Sequence, residues 1–343
     1  MHKLIISLFL LTTVLSCTGG GNNSDGSTNS KATMVDMAGL TGKVKHYETY
    51  DYDCYEGTNL IHRAIYDYDQ RGNVTEMKQY DGNGLLAYKY TYFYDGAGNI
   101  IEENKFYSED EIAAKIQYAY DQHGNVLSEK EFNSKMEPGN ENTYRYTYNA
   151  RSNLTQVEQF SAGGTLNYKI GYQYDEQNRR TEEHWDVVRL SAIDASNTIK
   201  RGVSNIIETY RTESIYDIDG SRGDYYYDKN GDINVKKSYD AKNNLVEVES
   251  KRGRVQYTFD DNGRIVGQQE ITESMKPTNE AEYSYNFDDH SNLTESFIVT
   301  RDGETNSRWA YRYDDKNNLL EQAFYNEEGR LTFWKVFKYE YWN

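Results

Sequence analysis

Polar and apolar residues alternate in short runs along most of the chain, and each run ends at a turn led by aspartate. Tyr92–Ile100 shows the unit: tyrosines two residues apart, then Asp95, two small residues, Gly98 and Asn99. Side chains at i and i+2 of a strand share one face, and Asp-x-x-Gly favours a type I turn closed by a left-handed residue. The unit therefore predicts a strand, a tight turn and a returning strand.

Copies of this unit recur along the chain, and a second turn lies about halfway between the main turns. The repeat predicts an all-β fold of stacked antiparallel β-hairpins over residues 34–343, forming an extended or curled meander sheet. The sequence leaves open whether this sheet stays open, with exposed edges that allow dimers, or curls shut. The clearest copies begin at Tyr66, Tyr92, Tyr118, Tyr146, Tyr172, Tyr285 and Tyr311.

Tyrosine is the predicted packing residue, since 34 of the 343 residues are tyrosine. We expect neighbouring hairpins to stack tyrosine beside tyrosine, and such ring pairs contribute roughly 0.5–1.5 kcal/mol beyond burial. The strongly aromatic segment 331–343 is expected to close one end of the sheet.

The pattern stops at about residues 186–205, which contain no tyrosine. This stretch is either an insertion, and then the best loop candidate for function, or a degenerate hairpin.

The N-terminus predicts export. Residues 1–16 have a short basic start and an apolar run, Leu4 to Leu15, that is too short to cross a bilayer. The segment ending at Cys17 resembles the lipobox of bacterial lipoproteins, which implies acylation of that cysteine. The alternative is an ordinary secretory signal. Residues 17–33 then form a flexible Gly/Ser/Asn linker. We expect a lipid-anchored protein of the bacterial envelope, at the outer membrane, with the periplasmic or surface side undetermined.

The net charge argues against one class of binding partner, and the cysteine count argues against an internal disulfide. The net charge of −17 disfavours nucleic acid, whose phosphates require a basic surface. With Cys17 acylated, Cys54 has no partner for an internal disulfide, and we expect it to be a small packed residue.

No cofactor, metal site or catalytic motif is predicted. The histidines are scattered, and Glu76, Glu102, Glu295 and Glu321 recur at one position after a turn, which indicates pairing with Lys or Arg on a wet face. An enzyme site would have to lie near His184, Trp185 and Asp186. Four tryptophans are candidates for ligand binding, because exposed aromatic rings stack on sugars; the alternative is that they cap the sheet. They are Trp185, Trp309, Trp334 and Trp342.

The Tyr-Asp-x-x-Gly-Asn-apolar unit resembles the YD repeat of Rhs and teneurin-type proteins over nearly all of the mature chain. That resemblance implies stacked hairpins, wound in larger relatives into a hollow shell, and an association with sugar binding or adhesion. The predicted function is a non-catalytic envelope surface that binds a glycan or protein. Two alternatives stay open: a structural or immunity partner of a larger Rhs-type system, and a glycan hydrolase with its site near 186–205.

Overall fold

The described chain is built of β-strands joined mostly by tight turns, which confirms the predicted all-β class. The computed structural model describes residues 39–189, 206–272, 277–299 and 305–343. Cys17 and the predicted signal peptide and linker lie outside them. Across the described ranges, no helix has the length and apolar character to span a membrane.

The strands follow one another along the chain as a meander. They are β1 (Val44–Asp53), β2 (Asn59–Tyr68), β3 (Val74–Asp81), β4 (Leu86–Tyr94), β5 (Ile100–Phe106), β6 (Ile112–Tyr120), β7 (Val126–Asn133), β8 (Pro138–Tyr148), β9 (Leu154–Ser161), β10 (Leu166–Tyr174), β11 (Arg180–Arg189), β12 (Ile206–Tyr216), β13 (Arg222–Tyr227), β14 (Ile233–Tyr239), β15 (Leu245–Ser250), β16 (Gly253–Phe259), β17 (Ile265–Thr272), β18 (Pro277–Phe287), β19 (Leu293–Val299), β20 (Thr305–Tyr313), β21 (Leu319–Tyr325) and β22 (Leu331–Tyr341).

The sheet is a closed antiparallel barrel of 22 strands, not an open meander. Each strand pairs with the next, and β1 also pairs with β22. The aromatic C-terminal segment therefore does not end the sheet as expected, because β22 forms the seam with β1. Closure removes the free edges that suggested dimers.

Alternation gives the barrel two different faces. Tyr92 is 4% exposed, whereas the next residue, Phe93, is 52% exposed. Met77, Ile170, Tyr172 and other buried strand residues share the face of Tyr92 through cross-strand pairing. A closed sheet crowds the side chains on its concave side, so the tyrosine face lines the interior.

The turns have the predicted chemistry. In the turn after β2, the Arg71 N–H donates to Asp69 Oδ1 at 2.8 Å, and the Gly72 N–H donates to the Asp69 carbonyl at 3.1 Å. Gly72 has φ of 83°, the left-handed conformation expected at this position. Asn178 and Asn317 take the same conformation in later turns.

We call one end of the barrel the Asx rim, because a turn led by Asp or Asn joins each pair of strands there. Neighbouring turns of this rim touch: Arg71 Nη1 donates to the Gly96 carbonyl at 3.4 Å, and Asn292 Nδ2 donates to Asn317 Oδ1 at 3.1 Å. The opposite end is the far rim, where turns such as 81–85, 107–111 and 161–165 join the alternate pairs of strands. The Asx rim comprises turns 69–73, 95–99, 121–125, 149–153, 175–179, 217–221, 240–244, 260–264, 288–292 and 314–318.

Tyrosine packing differs from the expected stacking of ring on ring between hairpins. Each 26-residue unit holds two strands, and the strand between two tyrosine strands often places another residue type on the inner face, such as Met77 opposite Tyr90 or Glu103 opposite Tyr92. Cross-strand tyrosine pairs occur at the seam, where Tyr47 lies 5.2 Å from Tyr339 and 5.5 Å from Tyr66 between ring centroids.

Tyrosine hydroxyls provide a second, recurrent contact. The tyrosine that precedes an Asx-rim turn donates to the carbonyl of the first residue of the strand before it: Tyr94 to Val74 at 2.6 Å and Tyr120 to Ile100 at 2.6 Å. The contact ties one turn to the next. Tyr174 makes the same bond directly before its turn, and Tyr146 and Tyr285 make it from three residues before theirs. Tyr339 on β22 makes it to the first residue of β21, and all of these pairs are 20 residues apart.

The predicted irregular segment is shorter than expected. Residues 186–189 continue β11, which pairs with β12 from Glu182↔Glu213 to Arg189↔Ile206. Absence of tyrosine did not end the strand, because valine also favours β-structure. Residues 190–205 lie outside the described part of the chain.

Candidate ligand-binding wall

Trp185 projects from β11 onto the inner face. It is directly opposite Ile170 on β10 and Tyr210 on β12. The Trp185 and Tyr168 rings lie 5.6 Å apart at 37°. Trp185 also packs against the buried cluster of Val157, Ile170 and Tyr172. Its ring is therefore held from one side by a fixed apolar base.

Polar groups lie among these rings. The Trp185 indole N–H donates to Glu183 Oε1. On the neighbouring strands, Gln159 Nε2 donates to the Tyr144 hydroxyl at 2.7 Å, and Asn167 Nδ2 donates to Gln159 Oε1 at 3.2 Å. Burial raises the pKa of Tyr144, so this hydroxyl stays protonated and can both donate and accept.

We call this surface the Trp185 wall and define it as Tyr144, Gln159, Tyr168, Glu183, Trp185 and Tyr210. Tyr210 is 43% exposed and lies directly opposite Trp185 on β12. Flat aromatic faces next to amide and carboxylate groups suit a sugar, whose ring has apolar C–H faces and a rim of hydroxyls.

The other three tryptophans do not join this wall. Trp309, on the inner face of β20, packs 4.8 Å from Phe324 between ring centroids. Trp334 stacks on Tyr52 across the seam at 5.1 Å, and the backbone N–H of Trp342 donates to the Lys43 carbonyl at 2.8 Å. The Trp334 ring therefore stabilises the closure of the barrel, and Trp342 lies at the end of the same seam.

The His184, Trp185 and Asp186 triplet is divided between the two faces. His184 Nε2 lies 3.1 Å from Asp186 Oδ1 on the outer face, whereas Trp185 points inward. Strand alternation places i and i+2 together and i+1 opposite. The three side chains therefore do not form one catalytic group.

The repeated glutamates pair as expected on the outer face. Glu102 Oε2 lies 3.0 Å from Lys115 Nζ, and Glu295 Oε1 lies 2.7 Å from Arg308 Nη1. Glu76 pairs with Lys78 and Lys89, and Glu321 pairs with Arg312. Among the described residues, no cluster of His, Cys, Asp and Glu could hold a metal ion.

The inner face has one carboxyl in an unusual setting. Burial raises the pKa of Glu103, which lies opposite Tyr92 and near Tyr118. Elsewhere, a cleft of about 500 Å³ lies between the Asx-rim turns 288–292 and 314–318. Its Asp288 and Asp314 carboxylates already accept from Asn292 at 3.0 Å and Tyr341 at 2.6 Å, so they hold the turns together.

The sequence indicated Trp185 as a candidate but did not indicate most of the residues that lie around it. Tyr168 could have been placed from its spacing to Tyr172, since both lie at even steps along one strand. Tyr210 could not, because the irregular stretch before it hides the register of β12. Cys54, expected to pack as a small residue, is a half-buried free thiol just after β1, and burial raises its pKa.

Comparison with known proteins gives no family. No family model and no curated protein matches the chain. Among solved structures, it is similar to a Photorhabdus luminescens Tc holotoxin pore, at 12% identity and a TM-score of 0.21, over 80% of this chain and 19% of that chain. It is also similar to porin-like proteins from Bacteroides uniformis, at 10% identity and a TM-score of 0.29 over 88% of this chain and 98% of that one, and from Bacteroides vulgatus, at 11% identity and a TM-score of 0.24 over 68% and 95%. The chain spans about a fifth of the toxin chain, and at these TM-scores none of the similarities indicates a function.

Proposed function

We propose that this chain is a non-catalytic lipoprotein of the bacterial envelope whose barrel binds a carbohydrate on the Trp185 wall. We also propose that its hairpins are YD-type repeats. The closed antiparallel barrel is compatible with an outer-membrane or envelope location. The observation that carries the binding proposal is the position of Tyr210, which is 43% exposed and lies directly opposite Trp185.

The polar groups of the wall support a sugar over an apolar ligand. Gln159 and Tyr144 are already joined by a hydrogen bond, so their remaining donors and acceptors have fixed directions. A preorganised polar group loses less conformational entropy on binding than a mobile one. Glu183 is held by the Trp185 indole and adds an acceptor for hydroxyls.

The charge pattern supports a barrel attached to a membrane over one that crosses it. A membrane-spanning barrel needs an apolar outer band about 25 Å tall. Here the outer face carries ion pairs such as Lys115 with Glu102 and Arg308 with Glu295, while the inner face carries Glu103 and Asp224. Neither face is apolar enough to face the hydrocarbon core of a bilayer. We therefore propose that the acylated Cys17 attaches the protein to the membrane.

The binding proposal is tested by titrating the protein against an array of envelope and host glycans. The variant is Trp185→Ala, and the control is Tyr55→Ala, which removes a 70% exposed aromatic ring outside the wall. We expect a hit that weakens at least tenfold in Trp185→Ala and stays within twofold in Tyr55→Ala, roughly 1.4 kcal/mol against 0.4 kcal/mol. No hit at millimolar concentration, or equal loss in both variants, would exclude a sugar site on this wall.

The anchor is tested separately by growing cells with a labelled fatty acid. Label should enter the chain and be lost in Cys17→Ser. Labelling that survives this change would place the lipid elsewhere.

A further inference from the structure

The described chain begins at the Asx rim. The Thr41 N–H donates to Asn318 Oδ1 at 2.7 Å, and its hydroxyl donates to the Lys316 carbonyl, both in turn 314–318. β1 then starts at Val44, opposite Tyr341 at the end of β22. Everything that precedes residue 39, including the proposed acylated Cys17, is therefore joined to the barrel at this rim.

An exposed apolar patch lies on the outer face beside the same rim. Phe93 is 52% exposed, Leu127 41% and Ile101 40%, and Ala119 between them is also exposed. They belong to the consecutive strands β4 to β7, and Phe93 and Ala119 are each two residues from an Asx-rim turn. We call these four residues the rim patch. Its first strand is three strand spacings from β1, roughly 14 Å along the rim.

Two Asx-rim turns, 95–99 and 121–125, border the rim patch, and the first of them carries little free charge. Turn 95–99 exposes Gly96 and Ala97, and its only acid, Asp95, accepts from the Ala97 N–H at 2.8 Å and from Asn99 Nδ2 at 2.8 Å. Other turns of the rim are more charged. Turn 314–318, for example, adds Asp315 and Lys316 to its leading aspartate.

We propose that the rim patch and turn 95–99 rest on the surface of the bilayer that holds the lipid anchor, so that the far rim points away from it. The inference rests on the acylation of Cys17 proposed above. The flexible linker that the sequence predicts over residues 17–33 would reach roughly 22 Å on average, which favours contact by the rim at which the chain enters the barrel. Apolar side chains beside a weakly charged loop can bury themselves in the headgroup region without crossing the membrane.

The proposed orientation of the barrel on the membrane determines the end through which a ligand would reach the Trp185 wall. The mouth of the barrel at the Asx rim faces lipid, so a soluble ligand reaches the inner wall from the far rim. Trp185 lies four residues from the far-rim end of β11, closer to that mouth than Tyr172 on the next strand.

The test uses the full acylated chain in vesicles of phosphatidylethanolamine and phosphatidylglycerol that contain spin-labelled lipid. With Cys54 replaced by serine, a fluorophore is attached to Ala97→Cys at the Asx rim or to Asn83→Cys at the far rim, the two ends of β4. We expect lipid quenching severalfold stronger at position 97. Adding Phe93→Ser and Leu127→Ser should lower that quenching while the chain still floats with the vesicles.

The outcomes separate the two proposals. A chain that stays in the unbound fraction refutes the anchor, and the orientation with it. A chain that floats but is quenched equally at both positions, or more at position 83, refutes the orientation alone. If Phe93→Ser converts a dimer into a monomer by sedimentation and leaves quenching unchanged, the rim patch binds a second copy and the inference is wrong.

Discussion

Asn318 and Thr41 hold each other by two hydrogen bonds across the seam of the barrel. The Thr41 N–H donates to Asn318 Oδ1 at 2.7 Å, and Asn318 Nδ2 donates to the Thr41 carbonyl at 2.9 Å. Asn318 Nδ2 also donates to the Tyr341 hydroxyl at 2.7 Å, and Asn318 is only 1% exposed. One buried amide thus joins the last Asx-rim turn, the chain before β1 and the end of β22.

Asn318→Ala should weaken this seam. Loss of the amide leaves buried donors and acceptors without partners, and we expect the free energy of unfolding to fall by about 1–3 kcal/mol. Urea denaturation measures the loss, and hydrogen exchange of β1 shows where it occurs. Asn83→Ala in an exposed far-rim turn is the control, with a change below about 0.5 kcal/mol. Equal effects would mean that the seam is no weaker than any other turn.

Closure itself is testable with paired cysteines. Asp51 on β1 is directly opposite Lys335 on β22, and Lys335 Nζ lies 3.0 Å from Asp51 Oδ1. Opposite residues of antiparallel strands are about 4.5–5.5 Å apart between Cα atoms, within disulfide range. With both native cysteines replaced by serine, Asp51→Cys with Lys335→Cys should oxidise to a compact cross-linked monomer. Asp51→Cys with Lys237→Cys, whose strands are not neighbours, should not.

Two tyrosines of β4 should respond in opposite ways to the loss of a hydroxyl. Tyr94→Phe removes the bond to the Val74 carbonyl and should cost about 0.5–1.5 kcal/mol. The Tyr92 hydroxyl is buried without a hydrogen-bond partner among the described residues, so Tyr92→Phe should be neutral or stabilising. Thermal and urea unfolding of both variants measure the difference. A larger loss in Tyr92→Phe would contradict the proposed role of the rim hydroxyls.

The stability of the seam between β1 and β22 should also depend on pH, because His46 on β1 is titratable. Burial alone would lower the pKa of His46, but hydrogen bonds to Asp67 at 2.6 Å and Glu48 at 3.2 Å raise it above its ordinary value of 6.5. Burial alone would raise the pKa of Glu48, but hydrogen bonds from Tyr50, Arg63 and His46 lower it to about 2.

The directions of these two pKa shifts determine the pH range in which His46 and Glu48 stabilise the folded state. Because the His46 pKa is raised on folding, His46 contributes its full stabilisation below pH 6.5, and this contribution is lost as pH rises through the pKa of the folded state. Because the Glu48 pKa is lowered, Glu48 contributes its full stabilisation above pH 4.5, and this contribution is lost as pH falls toward about 2. The stability difference between wild type and His46→Gln should therefore be largest near pH 5 to 6 and shrink toward pH about 9. Urea midpoints across this range measure it, and a difference independent of pH would exclude the charged network.

Two glycines of turn 95–99 test whether the turn requires a left-handed backbone conformation at its closing residue. Gly98 has φ of 81°, whereas Gly96 in the same turn is not left-handed and has open space where a Cβ would lie. Gly98→Ala should cost about 1 kcal/mol, and Gly96→Ala should be neutral or slightly stabilising. Denaturation midpoints of the two variants decide this. Similar values would mean that the turn relaxes to another type.

Much of this fold could be predicted from local signals. In most turns an aspartate and a glycine or asparagine three residues later marked where the strands end, and alternation placed Tyr92 and Tyr94 on one face. Closure could not be predicted, because the contact of Thr41 with Asn318 joins residues 277 apart in sequence, and no local pattern reports such a pairing. The proposed Trp185 wall could be predicted only in part, since the stretch before Tyr210 has no repeat pattern from which the register of β12 could be read.

The antiparallel seam between β1 and β22 has an arithmetic consequence. Strands of a meander alternate in direction, so the first and last can run opposite to each other only if their total is even. A linear repeat protein can grow or shrink by any unit, whereas this ring can gain or lose material only as whole hairpins. Duplication of a complete 26-residue copy would keep the number of strands even and yield a wider barrel. Loss of a single strand would make the first and last strands run in the same direction, so the antiparallel seam could not form.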